Sequence, residues 1–224
     1  MTTLCCICSQ LQGDQSNDLL SMRLDADGSY VRRVLYETDE LATIPSMGGL
    51  GDAHLLICPR EHTPRFASAS VASDVLESYL SRVMSTLRLA IEAPRVHVFE
   101  HGNPSDGSIT VCSVEHAHLH VVASSADAWG ELGRMAPWQE VRGGLGEVPN
   151  LVGDSEYLFY QRPDGVSFVA LPREGCAFES QLIRRVLAAA EGRFERWNWR
   201  DFPELDALET LFGALHGQQS STVG

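Results

Sequence analysis

Between about residues 70 and 91, apolar side chains fall at Val71, Val75, Leu76, Tyr79, Leu80, Val83, Met84, Leu87 and Ile91. That three-and-four spacing predicts one face of a long amphipathic helix, stopped by Pro94, and the stripe reads as core. Leu41–Pro45, His54–Cys58 and Arg95–Glu100 read as strands, and short strands are expected at Met22–Leu24 and Tyr30–Glu37, around the turn Asp25-Ala26-Asp27-Gly28. Residues 9–18 are polar and read as loop. After about residue 126 the pattern changes. Trp129–Gly153 reads as irregular, while Tyr157–Gln161 and Val166–Leu171 bracket Arg162-Pro163-Asp164-Gly165 and predict a hairpin. Helices are expected at about 179–191 and 203–215, and the last seven residues read as polar and frayed. The sum is an α+β chain.

One alternating stretch carries chemistry. In His116-Ala117-His118-Leu119-His120-Val121-Val122 the histidines recur at every second position, so a strand puts the imidazoles on one face and Ala117, Leu119 and Val121 on the other. Three ionisable rings on one side are costly to bury unpaired. They suit phosphate chemistry or metal binding, because imidazole serves as nucleophile, proton carrier or ligand near neutral pH.

Composition narrows the chemistry. The chain has 224 residues, 44% of them hydrophobic, enough for one large domain or two small ones. A net charge of −13 argues against general affinity for nucleic-acid phosphates. All 17 basic residues are Arg, so a lysine Schiff base, a P-loop and a kinase-type lysine are excluded. No apolar run reaches the roughly 18–20 residues of a membrane span, and the first residues lack the pattern of a secretory signal. A cytoplasmic protein with reduced thiols is the expectation, since three of the six cysteines crowd into Cys5-Cys6-Ile7-Cys8. Cys5-x-x-Cys8 has the spacing of half a zinc site. Its partners would come from the histidines, with His62 and His116 best placed; inert thiols are the alternative.

Taken together, these motifs resemble the histidine-triad (HIT) superfamily of nucleotide hydrolases and nucleotidyl transferases, over about residues 4–124. The segment His54-Leu55-Leu56-Ile57-Cys58-Pro59-Arg60-Glu61-His62 is similar to the family's strand followed by Pro-x-x-His, and Ser113 stands three residues before the triad, as the family's phosphate-contacting serine does. The resemblance implies a HIT-like antiparallel sheet with one long helix in residues 1–125. Residues 126–224 would be a C-terminal α+β extension, conceivable as a degenerate second HIT-like half. It implies a structural zinc ion on Cys5, Cys8, His62 and His116, and His118 as nucleophile toward an α-phosphorus. Ser113, His120, His54, Glu100 and Asn103 are the expected substrate contacts.

The implied partner is a small nucleotide or nucleotide conjugate, without nucleic acid or membrane. Homodimers are frequent in the family, although an attached tail can cover the dimer surface. Hydrolysis through a nucleotidyl-histidine intermediate is the first reading, and transfer to a sugar phosphate or phosphate acceptor the second. A non-catalytic nucleotide-binding protein and a catalytic metal held by all three triad histidines are further readings. The chain departs from the family at Val111-Cys112, where relatives carry Gly-Gln, and at Phe99-Glu100-His101-Gly102, where many place an Asn-bearing strand end. Those changes bear on substrate recognition. His97 and His216 read as surface residues, and Trp197-Asn198-Trp199-Arg200-Asp201 reads as an aromatic packing anchor or a binding loop.

Overall fold

A computed structural model describes residues 5–25, 28–91, 95–104 and 116–221, with side chains to Gly217 in the last stretch. Its strands are β1 (Tyr36–Glu37), β2 (Leu41–Pro45), β3 (Ala53–Pro59), β4 (Val96–Gly102), β5 (Leu119–Ala123), β6 (Gln139–Val141), β7 (Tyr157–Gln161) and β8 (Ser167–Ala170). They form one sheet in the order β1-β2-β3-β5-β4-β7-β8-β6, with every pair antiparallel. The expected α+β class, an antiparallel sheet with one long helix, is what the chain adopts. The strands after residue 126 join the same sheet, with Tyr160 of β7 opposite Phe99 of β4.

The long helix, α3 (Ser73–Ile91), lies on one face of this sheet. Its buried Leu76, Tyr79, Leu80, Val83 and Leu87 pack with Leu55, Ile57, Val96, Val98, Leu119 and Val121. Alternation sends the intervening strand residues to the opposite face. There Phe99, Val122, Leu158, Tyr160 and Ala170 meet Leu132 of α4 (Trp129–Met135) and Ile183, Val186 and Leu187 of α6 (Leu182–Ala190). At the other end of that face, Ile7 and Leu11 of α1 (Cys6–Gln12) cover Ala42, Ile44 and Cys58. The second face is thus roofed by α1 at one end and by α4 and α6 at the other, with the β3-β5-β4 centre between them.

Several local expectations change. Residues 9–18 contain most of α1, which Cys5 caps by accepting the Cys8 N–H at 3.5 Å and which Gly13, at φ 76°, ends. Met22–Leu24 closes a second short helix, α2 (Leu19–Leu24), because Asp18 accepts the N–H groups of Leu20 and Ser21 and starts it. Of Tyr30–Glu37, only Tyr36–Glu37 pairs. Trp129–Gly153 is ordered into α4, β6, a one-turn 3-10 helix and α5 (Val148–Val152). The closing helix, α7 (Leu205–Ser221), runs past residue 215 and is tied down by Glu209, which accepts from the buried Arg33 at 2.5 Å. His97 is buried rather than exposed, because β7 packs beside β4 and the Tyr160 hydroxyl lies 2.7 Å from its Nδ1. His216 is exposed, as expected.

The loop before β3 is pinned to the end of β5. Gly51 has φ 63°, and a Cβ there would lie 2.1 Å from the Ala123 carbonyl oxygen, which also accepts the Asp52 N–H at 2.8 Å. Gly51→Ala is therefore expected to lower stability by about 2 kcal/mol or more, from left-handed strain plus a backbone clash. Urea unfolding checks this; an unchanged midpoint would show that the loop is not held there.

Candidate active site

The first triad residues stand just outside the ladder. The pairings of β5 with β3 and β4 end at Leu119 and His120, and the Ala117 N–H donates instead to the Thr63 carbonyl at 2.6 Å. Alternation nevertheless persists: Ala117, Leu119 and Val121 are buried in the core shared with α3. His120 lies on the opposite face, flat on Phe99 with ring centroids 4.5 Å apart, and His118 meets it edge-on at 4.8 Å.

Each ring's proton can be placed from its partner. A carbonyl oxygen only accepts, so His118, whose Nδ1 is 2.7 Å from the His116 carbonyl, carries its proton there and has its lone pair on Nε2. His116 donates from Nε2 to the Pro59 carbonyl at 2.7 Å, which leaves its Nδ1 lone pair facing the cysteines. His54 accepts the Leu50 N–H at Nδ1, 3.2 Å away, so its Nε2–H donates to His120 Nδ1 at 2.8 Å. His120 in turn holds its proton on Nε2. Burial holds His54 and His120 well below the usual imidazole range and lowers His118. These rings are therefore neutral near neutral pH.

His116 belongs to a second cluster. Its Nδ1 lies 3.6 Å from Cys5 Sγ and 3.3 Å from Cys8 Sγ, and His62 Nδ1 lies 3.3 Å from Cys8 Sγ. All four donor atoms fall within 4.8 Å of one another. A tetrahedral ion with ordinary Zn–S and Zn–N bonds needs S···N edges of about 3.6 Å. Burial pushes the Cys8 thiol up to about 12, with Cys5 beside it adding to the shift, and burial brings His116 down to about 4. A lone-pair-bearing imidazole and a thiol that ionises only beside a cation are the chemistry of a metal site. The cluster could therefore hold a metal ion. His118 and His120 are not part of it.

A cavity opens beside the triad. His118, His120, Leu56, Ile44, Ile7 and Leu20 line it, together with Gln181, Arg184 and Trp199. His54 is buried beneath it and touches it through His120. Ser113 lies outside the described residues. Glu100 faces away, on the α3 side, where it accepts from the Tyr157 hydroxyl at 2.5 Å and the Phe66 N–H at 2.8 Å. Asn103 is buried, and its Oδ1 finds no hydrogen-bond partner among the described residues. His101, on the histidine face of β4, has Nε2 2.6 Å from a Glu156 carboxylate oxygen.

Among models of known families, that of the HIT domain matches residues 29–127, from before β1 to just after β5. Residues 29–127 are a HIT domain. Solved structures similar to the chain include a HIT family hydrolase from Clostridium thermocellum, 13% identical over 55% of this chain and 93% of that one, with a TM-score of 0.36. A histidine triad protein from Clostridium difficile is 17% identical over 55% and 94%, with a TM-score of 0.36. A histidine triad nucleotide-binding protein from Candida albicans is 18% identical over 58% and 91%, with a TM-score of 0.34. No curated protein matches the chain in sequence. No described helix is long and apolar enough to cross a membrane.

Parts of the site lie outside the HIT domain. Cys5 and Cys8 precede it, and Gln181, Arg184 and Trp199 follow it. Of the tryptophan pair, Trp197 packs under Arg185 at 3.9 Å while Trp199 lines the cavity, so one anchors and the other faces the site. Glu100 gives the HIT domain a pH signature. Burial raises its carboxyl from 4.5 to about 7. The folded state then binds more protons than the unfolded state between those values, so stability falls as pH rises through that window. Glu100→Gln should flatten this slope in urea unfolding across that range. Parallel wild-type and variant profiles would rule the assignment out.

Proposed function

We propose that the protein cleaves nucleotide conjugates at the α-phosphate through a nucleotidyl intermediate on His118. A nucleotide-binding, hydrolase-like protein is the coarse reading that accompanies a HIT domain; the finer reading rests on one observation. The His118 Nδ1–H is held by the His116 carbonyl, and its Nε2 lone pair belongs to a neutral ring on the cavity wall.

In the first step the Nε2 lone pair forms an N–P bond as the P–O bond to the distal group breaks, and that group leaves with the bonding pair. In the second, a water oxygen attacks phosphorus, the N–P bond breaks back to His118, and nucleoside monophosphate and a proton are released. The His120 Nε2–H, fixed through His54, donates to a phosphoryl oxygen as charge builds there. The apolar lining of the cavity, with Ile7, Leu20, Ile44 and Leu56, suits a nucleobase. Cys5, Cys8, His62 and His116 would hold zinc, a closed four-ligand site whose contribution is structural. It ties α1 and the loop after β3 to the entry of the triad strand.

Product analysis tests the reaction. Incubation with a nucleotide conjugate in water enriched in heavy oxygen should give labelled monophosphate that persists when a sugar phosphate or inorganic phosphate is added. A product carrying the acceptor, with label absent, would make the protein a nucleotidyl transferase. Binding without any turnover across a panel of conjugates would leave it a nucleotide-binding protein.

A further inference from the structure

We infer that Arg184, which lies beyond the HIT domain, binds the phosphoryl oxygens of the substrate and makes the C-terminal segment part of the active site. Arg184 is on the first turn of α6 and is 4% exposed, yet it borders the same cavity as His118 and His120. Its Nη2–H donates to the Gly48 carbonyl at 2.6 Å, its Nε–H to the Trp197 carbonyl at 3.0 Å, and its Nη1–H to His54 Nδ1 at 3.4 Å. These contacts come from the loop before β3, from the Trp197–Trp199 segment and from the triad's own support. They fix the guanidinium plane before any ligand arrives, so little side-chain entropy remains to be lost on binding.

Electrostatics points the same way. The chain carries −13 overall, which repels a phosphate-bearing ligand at long range. Among the described residues lining the cavity, Arg184 is the one arginine, and none is a lysine. Residues 105–115, outside the described set and just before the triad, contain no basic residue and include Asp106 and Glu115. Guanidinium is matched to phosphoryl oxygens in charge and in geometry.

The competing role is structural: Arg184 tying the Gly48 loop to the tryptophan segment and nothing more. Two titrations separate the roles. The first uses inorganic phosphate and follows the histidine ring signals by NMR, which needs no assumption about nucleotides. The second compares AMP with adenosine by calorimetry, and this arm alone rests on the proposed function.

Phosphate should perturb His118 and His120 in the wild type. R184M should weaken phosphate and AMP by about 10- to 100-fold while leaving adenosine within about twofold. R184K should recover most of the loss, because it restores the charge. Where R184M fails to fold, R184Q, which keeps an amide donor for the Gly48 carbonyl but no charge, takes its place. A folded R184M or R184Q that binds phosphate and AMP as the wild type does overturns the inference, as does a wild type whose triad signals ignore phosphate. Arginine-dependent phosphate binding without any nucleotide binding would sustain the inference and retract the nucleotide reading.

Discussion

His118→Ala is expected to reduce turnover of a nucleotide conjugate by on the order of 10⁴- to 10⁶-fold while the protein stays folded. The loss is large because the ring supplies the nucleophile, and neither of the other triad histidines can replace it. His120 has its lone pair engaged by the His54 Nε2–H, and His116 directs its lone pair at the cysteines. The fold should survive, because among the described residues the His118 ring hydrogen-bonds a carbonyl two residues away and meets the edge of His120. Steady-state kinetics and a thermal melt check both halves. A variant retaining a tenth of wild-type turnover would move the chemistry to another group.

The second large effect concerns stability. The Cys5, Cys8, His62 and His116 cluster joins α1 to the loop after β3 and to the start of the triad strand. Structural metal sites of this composition contribute about 10 kcal/mol or more to folding in small domains. Here part of the fold is independent of the cluster, since α3 and the sheet have their own core. Cys8→Ser is therefore expected to abolish stoichiometric zinc and lower the melting temperature by about 10 °C or more. Elemental analysis and melts with and without chelator measure this. Protein purified without an ion, melting identically with chelator, would leave the cluster as four neighbouring polar groups.

What the sequence revealed follows its strongest periodicities. The α3 stripe, the strands at Leu41–Pro45 and His54–Cys58, and the hairpin around Pro163-Asp164 are regular over enough residues to be read directly. Helix α1 was hidden because it has two apolar contacts, Ile7 and Leu11, and its cap is a cysteine sulfur rather than a Ser or Asp. The Met22–Leu24 segment is too short for either period to be read, and the Asp18 cap decided its conformation. Glu100 was grouped with its neighbours in the chain, yet strand alternation turns it to the α3 face while Phe99 and His101 face the triad.

Arg184 and Trp199 had no local signature. Their relation to the triad exists because β7 pairs with β4 and α6 packs over the histidine face, contacts between distant parts of the chain. His116, His118 and His120 illustrate both sides of this. Their spacing told which face they share, but the tautomer of each depends on the Pro59, His116 and Leu50 backbone groups that folding places beside them.

The most direct test is rapid-quench mass spectrometry of the intact protein after exposure to a panel of nucleotide conjugates, with the modified residue mapped. The account predicts a mass gain of one nucleotidyl group (a nucleoside monophosphate less one water), bonded to Nε2 of His118 and absent from His118→Ala. Turnover with no adduct at any quench time, or an adduct on another residue, would contradict it.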